Sequence, residues 1–314
     1  MLVARGSSRE ESKVTKREMG GARLLVAGDK STSGKSTCSL GLLAALLEAG
    51  IPAAEIAYIK PVTQCVSSTL TARFCQDRGI TYEHIGPLVF YRGCTRKYLD
   101  APDDSLPAVC AAAVERISAG KRVTVIDGVG YPSVGSVVGC SSAEIAISCR
   151  SPVLLVGRPG VGDAIDSFNL CATYFEAQRV PVLGAIFNKL PEKGFYSLDS
   201  CAKYHAKYFA RSRPKQRVYG LLPLDERLAS LGGEEACSFA FKHPETPPEA
   251  GALNDEDRAA VALLTEHFRK RVDTAALLAD LERATTHPAE WARDLPQYPE
   301  PAAEEGSSSK RHRS

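Results

Sequence analysis

Apolar residues recur along the chain in two alternating rhythms. Short runs rich in Val, Ile and Leu fall at 23–28, 55–60, 122–127, 152–157, 181–188 and 217–222. Most are apolar almost throughout, the pattern of strands in a parallel sheet covered on both faces. Between them, at 35–49, 103–119, 163–178 and 197–211, lie longer segments with apolar positions at helical spacing. The first of these ends at Gly50-Ile51-Pro52, a helix stop. Strand and helix in alternation predict an α/β fold, a doubly wound and mostly parallel sheet. Ligands of such sheets bind at the carboxyl ends of the strands, so residues there carry the functional reading.

The rhythm loosens after Pro223. Residues 228–252, rich in Gly, Pro and Glu, read as a loop. Asn254 stands where it can cap a helix reaching about Arg271, and a second helix follows over 273–284. These form a short C-terminal helical appendage over 253–284, attached to a main domain over 22–227. Residues 1–21 read as a flexible tail, and 285–314, poor in apolar residues, as a disordered one. Its closing Lys-Arg-His-Arg is read as a charged tail, with a basic targeting patch as the alternative.

Composition narrows the classes. A net charge of +2 and a pI near 8.0 give no case for a nucleic-acid partner. No apolar run approaches the roughly 20 residues that span a bilayer, so no membrane partner is expected. The ten cysteines include no C-x-x-C pair, and Cys38, Cys149 and Cys171 fall in apolar stretches. They read as buried free thiols of a reducing compartment. No secretory segment is visible, which points to a cytoplasmic protein. Arg5, Ser7, Ser8 and Arg9 would suit a mitochondrial presequence, and although Glu10, Glu11 and Glu18 interrupt it, that location stays open.

The sharpest chemistry lies at 24–37, "LLVAGDKSTSGKST". A strand, a loop and a helix opening on Gly34-Lys35-Ser36 aim backbone N–H groups and a helix N-terminus at one point, which attracts polyphosphate. Phosphate contacts are expected from Gly28, Asp29, Lys30, Ser31, Thr32, Ser33, Gly34, Lys35, Ser36 and Thr37. Lys35, on an exposed loop, would reach the β- and γ-phosphates, and the Ser36 hydroxyl would ligate Mg²⁺. The usual spacing wants a glycine at 29, where this chain has Asp29, with Gly28 one residue early. "VTVIDGVG" ends a neighbouring strand in Asp127, an acid for the same metal. Lys60, in "YIKPVTQ", closes another strand and can stabilise charge on the γ-phosphate. Asn188, in "IFNKLP", has a donor and an acceptor that match the edges of adenine, or else simply starts a turn.

In this order, "GDKSTSGKST", "IKPV", "VIDGVG" and "FNKLP" resemble the dethiobiotin-synthetase-like branch of P-loop ATPases. That branch has the longer glycine spacing, with a leading glycine equivalent to Gly28. "DGVGYPSVGSVVGCSSAEIAI" and "GRPGVGDAID" are similar to the dethiobiotin-synthetase-like N-terminal domain of some phosphotransacetylases. The likeness covers roughly 22–225 and leaves no room for a phosphotransacetylase domain. It implies a P-loop NTPase fold, ATP and Mg²⁺ as cofactors, and a homodimer with sites near the interface. Carried over, Lys35 and Lys60 are catalytic, Ser36 and Asp127 hold the metal, and Asn188 reads adenine. Asp127 is a shorter equivalent of the family's usual Glu. The family's further metal-binding Asp has only Asp77 at a plausible separation, beside Arg78 in a helical pattern. Bacterial partitioning ATPases place a signature lysine earlier in the loop; Lys30 is one position off and does not take that role.

Two functions follow. The first is an ATP-dependent ligase or carboxylase acting on a small-molecule substrate. In that chemistry an amine takes up CO₂ as a carbamate, the carbamate attacks the γ-phosphate, and a second amine closes the mixed anhydride. The loop 128–139, with Gly128, Gly130, Ser133, Gly135 and Ser136, would face the substrate, and Arg96 would bind its carboxylate. The second is an ATP-binding regulatory or interaction protein of the same fold without ligase activity.

Overall fold

The computed structural model describes residues 21–64, 66–229 and 249–287. The expected tails and most of the loop after 228 lie outside the described residues. The elements begin β1 (Ala22–Gly28), α1 (Lys35–Glu48), β2 (Ile56–Ile59), β3 (Val62–Thr63), α2 (Leu70–Arg78), β4 (Thr81–Glu83) and β5 (Leu88–Val89). They continue with α3 (Cys94–Asp100), α4 (Leu106–Ser118), β6 (Val123–Asp127), α5 (Ser142–Ser148), β7 (Val153–Gly157) and α6 (Gly162–Ala177). The last are β8 (Val182–Leu190), α7 (Leu198–Ser212), β9 (Arg217–Pro223), α8 (Glu226–Ala229), α9 (Asp255–Arg271) and α10 (Thr274–Thr286).

Seven strands make one sheet in the order β4-β2-β6-β1-β7-β8-β9, with every neighbouring pair parallel. A small parallel pair, β3 with β5, stands apart. β1 lies at the centre, its Val26 in register with Asp127 of β6 and its Gly28 with Val156 of β7. The loop after β1 and the acid ending β6 therefore emerge side by side.

Alternate residues of β1 serve opposite faces. Leu25 and Ala27 join a buried layer with Val114 of α4, Ala146 of α5, Phe168 of α6 and Phe209 of α7. Leu24 and Val26 join Leu43 of α1, Phe74 of α2, Phe268 of α9 and Leu281 of α10. The C-terminal helices are thus packed into the second layer. Phe268 is fully buried, and a Cβ added at Gly41 of α1 would come within 2.1 Å of its ring. Only a glycine lets the two helices approach that closely. Tyr219 of β9 also donates its buried hydroxyl to Asp280 of α10 at 2.9 Å. Phe268→Ala is accordingly expected to cost about 3–5 kcal/mol of stability, the usual range for emptying a buried aromatic site. Urea unfolding measures this, and an unchanged midpoint would mean that α9 contributes nothing to the core.

The eight described cysteines are all free, and seven of them are buried, Cys38, Cys149 and Cys171 included. Among the described residues no helix is long and apolar enough to cross a membrane.

Candidate functional site

β1 delivers the chain to Gly28, residues 29–34 form the loop, and α1 begins at Lys35. Gly34 turns the chain into the helix with φ of 91°, in the left-handed region, and a Cβ there would lie 2.3 Å from Asn188 Nδ2. Both the backbone angle and the neighbour require glycine.

The loop is held from two sides. Asp29, in place of the usual glycine, pairs its carboxylate with Arg158, the residue after β7. Its Oδ2 accepts from Arg158 N at 3.1 Å and from Arg158 Nε at 2.7 Å. Arg158 extends in turn to Asp163 of α6, 3.1 Å away. From the end of β8, Asn188 Nδ2 donates to Ser33 O at 3.0 Å and Lys189 Nζ to Thr32 O at 2.8 Å. Asn188 Oδ1 accepts from Lys189 N at 2.9 Å, and Lys189 takes a φ of 62° to make this turn. Arg158 and Lys189 were not among the residues singled out by sequence, although both lie inside motifs that were.

Lys35 is not exposed: only 3% of its surface is accessible, and its ammonium donates to Lys30 O at 3.4 Å and Ser31 O at 3.2 Å. It lies folded under the loop, with its charge where phosphates would arrive. Lys30 and Ser31 are exposed, while Ser36 and Thr37 are half-buried.

Three side chains converge on one carboxylate oxygen. Asp127 Oδ2 accepts from Ser36 Oγ at 2.8 Å and from Tyr58 Oη at 2.9 Å. Lys60 Nζ stands 3.5 Å from that oxygen and 3.4 Å from Ser36 Oγ. Burial pushes the Tyr58 phenol well above its usual range and the Asp127 charge adds to this, so Tyr58 remains a donor. Asp127 Oδ1 is buried and has no hydrogen-bond partner among the described residues. An orphaned carboxylate oxygen is costly unless something binds it. Mg²⁺ typically takes one or two carboxylates and fills its other positions with water and phosphate, and Ser36 with Asp127 fits that donor set.

Asp77 does not join them. It lies at the far end of α2, 3.4 Å from Arg78 and 3.4 Å from Arg258. Among the described residues no group of three or more His, Cys, Asp or Glu could hold a metal.

A cavity of about 640 Å³ opens beyond Thr63, lined by Gln64, Phe90, Arg92, Thr95, Gly135 and Val138 among others. Of the residues expected to face a substrate, Gly135 lines it. Gly128 is bonded back to β1 through Val26 O at 2.9 Å, and Gly130 lies against Val134. Ser133 is half-buried on the same loop. Arg96 is exposed on α3 and does not line the cavity, whereas Arg92, just before α3, does. The turn closed by Cys94 N on Tyr91 O at 3.0 Å carries Arg92 at the cavity wall, and periodicity does not reveal it.

Residues 22–230 match the AAA domain family. The ATP-dependent dethiobiotin synthetase BioD of Akkermansia muciniphila is 29% identical over 175 residues, covering 54% of this chain and 79% of that protein. The nucleotide-binding protein of Archaeoglobus fulgidus, solved in complex with ADP, is 17% identical with a TM-score of 0.42, over 71% of this chain and 90% of that one. A Cyanothece McdA–ATP complex is 15% identical with a TM-score of 0.44, over 90% of this chain and 99% of that one.

Proposed function

The chain belongs to the AAA domain family, which its residues 22–230 match, and from that membership we propose that it binds ATP with Mg²⁺ and uses them in a ligase or carboxylase reaction related to that of dethiobiotin synthetase. The observation that carries this reading is the gathering of Ser36, Tyr58 and Lys60 on Asp127 Oδ2, with Oδ1 left open beside the phosphate loop. Bound Mg²⁺ would draw phosphate oxygens together and neutralise their charge. Around it, Ser36 keeps its proton on Asp127 and offers a lone pair to the cation. Lys35 exchanges the Lys30 and Ser31 carbonyls for phosphate oxygens. Lys60, with 12% of its side chain exposed, faces charge developing on the transferred group with little water to screen it. The 640 Å³ cavity suits a small substrate with an apolar stretch on Phe90 and Val138 and an anionic end at Arg92.

Hydrolysis of ATP with and without 7,8-diaminononanoate and bicarbonate tests the reading. Stimulation by the pair supports the ligase; no stimulation by any amine and bicarbonate speaks against it. A second reading, an ATP-binding regulatory protein, is favoured by one observation: Asp77, which stands at the plausible separation for the family's further metal-binding acid, is paired with Arg78 and Arg258 instead. The family likeness further supports a homodimer. Exposed Leu99, Tyr131 and Val137 offer apolar surface for it, and sedimentation of the full chain would give its mass.

Asn188 is part of the same reading. The wild type is expected to prefer ATP to GTP, and Asn188→Ala to narrow that preference by about 1–3 kcal/mol, the usual cost of losing a buried hydrogen-bonding partner. The substitution also frees Ser33 O, which weakens both nucleotides, so the ratio is the informative quantity. Equal competition by ATP and GTP in the wild type would refute the role.

A further inference from the structure

The first turn of α2 is gripped from two sides. On one side Thr71, buried, donates its hydroxyl to the Ser36 carbonyl at 3.2 Å. Ser36 and Tyr58 are the two hydroxyl donors to Asp127 Oδ2. The threonine hydroxyl therefore holds the backbone of one of the two groups that orient the Asp127 carboxylate. On the other side Arg73 makes a two-pronged pair with Asp257, Nε at 2.9 Å and Nη2 at 2.8 Å, and the Asp257 carboxylate is 4% exposed. Asp257 belongs to the first turn of α9, where it also accepts from Asn254 N at 3.2 Å and closes a capping box. Arg73 Nη1 reaches Ser68 Oγ at 3.4 Å, and that hydroxyl donates to Ala250 O. The segment holding α2 thus comes from 250–257, beyond the residues 22–230 that match the family.

We propose that Thr71 is a positioning residue for the metal-binding pair Ser36 and Asp127, and that α9 fixes it through the Arg73–Asp257 pair. The proposal rests on the reading of this site as one for ATP and Mg²⁺. Ser36 has to keep its proton on Asp127 while a lone pair meets the cation, which leaves the first turn of α1 little freedom. A carbonyl has two lone pairs and the helix bond uses one. Thr71 takes up the other and ties that turn to α2. The other phosphate contacts, Lys35 and the loop N–H groups, have no bond to Thr71, so its effect falls on the metal rather than on the nucleotide as a whole. The Arg73–Asp257 pair supplies the fixed point, because a two-pronged pair on a buried carboxylate holds its geometry.

The test is a calorimetric titration of ATP at stepped Mg²⁺ concentrations and again in EDTA. Thr71→Val keeps the shape and removes the hydroxyl. It is expected to raise the half-saturating Mg²⁺ by about 3- to 10-fold, the scale of one hydrogen bond, and to leave ATP affinity in EDTA unchanged. Thr71→Ser should restore the wild-type midpoint, and Asp257→Asn should shift it in the same direction as Thr71→Val. A Thr71→Val protein with the wild-type Mg²⁺ midpoint, or one weakened equally with and without Mg²⁺, overturns the proposal. If Thr71→Val loses its cooperative melting transition, Asp257→Asn decides: an unmoved midpoint overturns it. A wild type that binds no ATP at any Mg²⁺ concentration removes the nucleotide reading and this proposal with it. Mg²⁺-dependent binding that ignores Thr71 removes this proposal alone.

Discussion

Lys35→Ala is expected to weaken ATP binding by about 100-fold or more while leaving the fold intact. A lysine bonded to phosphate makes charge-assisted hydrogen bonds, each worth about 1.5–3 kcal/mol, and Lys35 is placed to make more than one. Its ammonium already points under the loop, bonded to Lys30 O and Ser31 O and shielded from water. A charge bonded to these carbonyls is partly satisfied, and phosphate oxygens would offer it full anions. The surrounding loop does not depend on it, because Arg158 holds Asp29 and Asn188 with Lys189 holds Ser33 and Thr32. The melting temperature without nucleotide should therefore stay near that of the wild type. Titration of both proteins with ATP and Mg²⁺ decides the point, and equal affinities would remove the phosphate-binding assignment.

How far the sequence carries this site depends on the range of each interaction. β1, β6, β7, β8 and β9 are legible because both of their faces are covered, which leaves near-continuous apolar runs. β3 and β5 have two residues each and β4 three, too few for any period to show. α5 and α3 have seven residues each and are framed by loops rich in glycine or charge, so neither displays a helical face. The meeting of Ser36 with Asp127 is legible because a Gly-Lys-Ser helix start and a strand-end acid are local patterns. Tyr58 was missed for the opposite reason. As the third residue of a buried strand it looks like core, and only the pairing of β2 with β6 brings its hydroxyl to Asp127. The Asp29–Arg158 pair joins residues 129 positions apart, so the reason for an acid in a glycine's place appears only when β1 and β7 lie together. The packing of α9 and α10 is hidden likewise: their apolar stripes suit any partner, and Gly41 names the surface only once Phe268 is seen against it.

Lys60→Ala should separate the two functional readings most widely. On the ligase reading turnover falls roughly 100- to 1000-fold, the scale for removing one donor aimed at transition-state charge, while ATP affinity changes little. The reason lies in the neighbours of Lys60. It stands beyond the last residue of β2, 3.5 Å from Asp127 Oδ2 and 3.4 Å from Ser36 Oγ, so its charge is already balanced in the resting site. His84 lies behind it, its imidazole kept below the usual range by burial and by the Lys60 charge, so it adds no competing charge at neutral pH. Ground-state phosphate has Lys35 and the loop N–H groups to neutralise it, and Lys60 gains most as charge shifts during transfer. Removing it also leaves Asp127 less compensated, which strengthens the hold of the acid on Mg²⁺ and keeps binding from collapsing. On the regulatory reading there is little chemistry to lose, and the substitution should leave hydrolysis unchanged from a low level. Steady-state hydrolysis and ATP affinity, measured for both proteins at one salt and Mg²⁺ concentration with and without amine substrate and bicarbonate, distinguish the two. No hydrolysis by the wild type with any candidate substrate, together with an indifferent Lys60→Ala protein, would sink the enzyme and leave an ATP-binding switch.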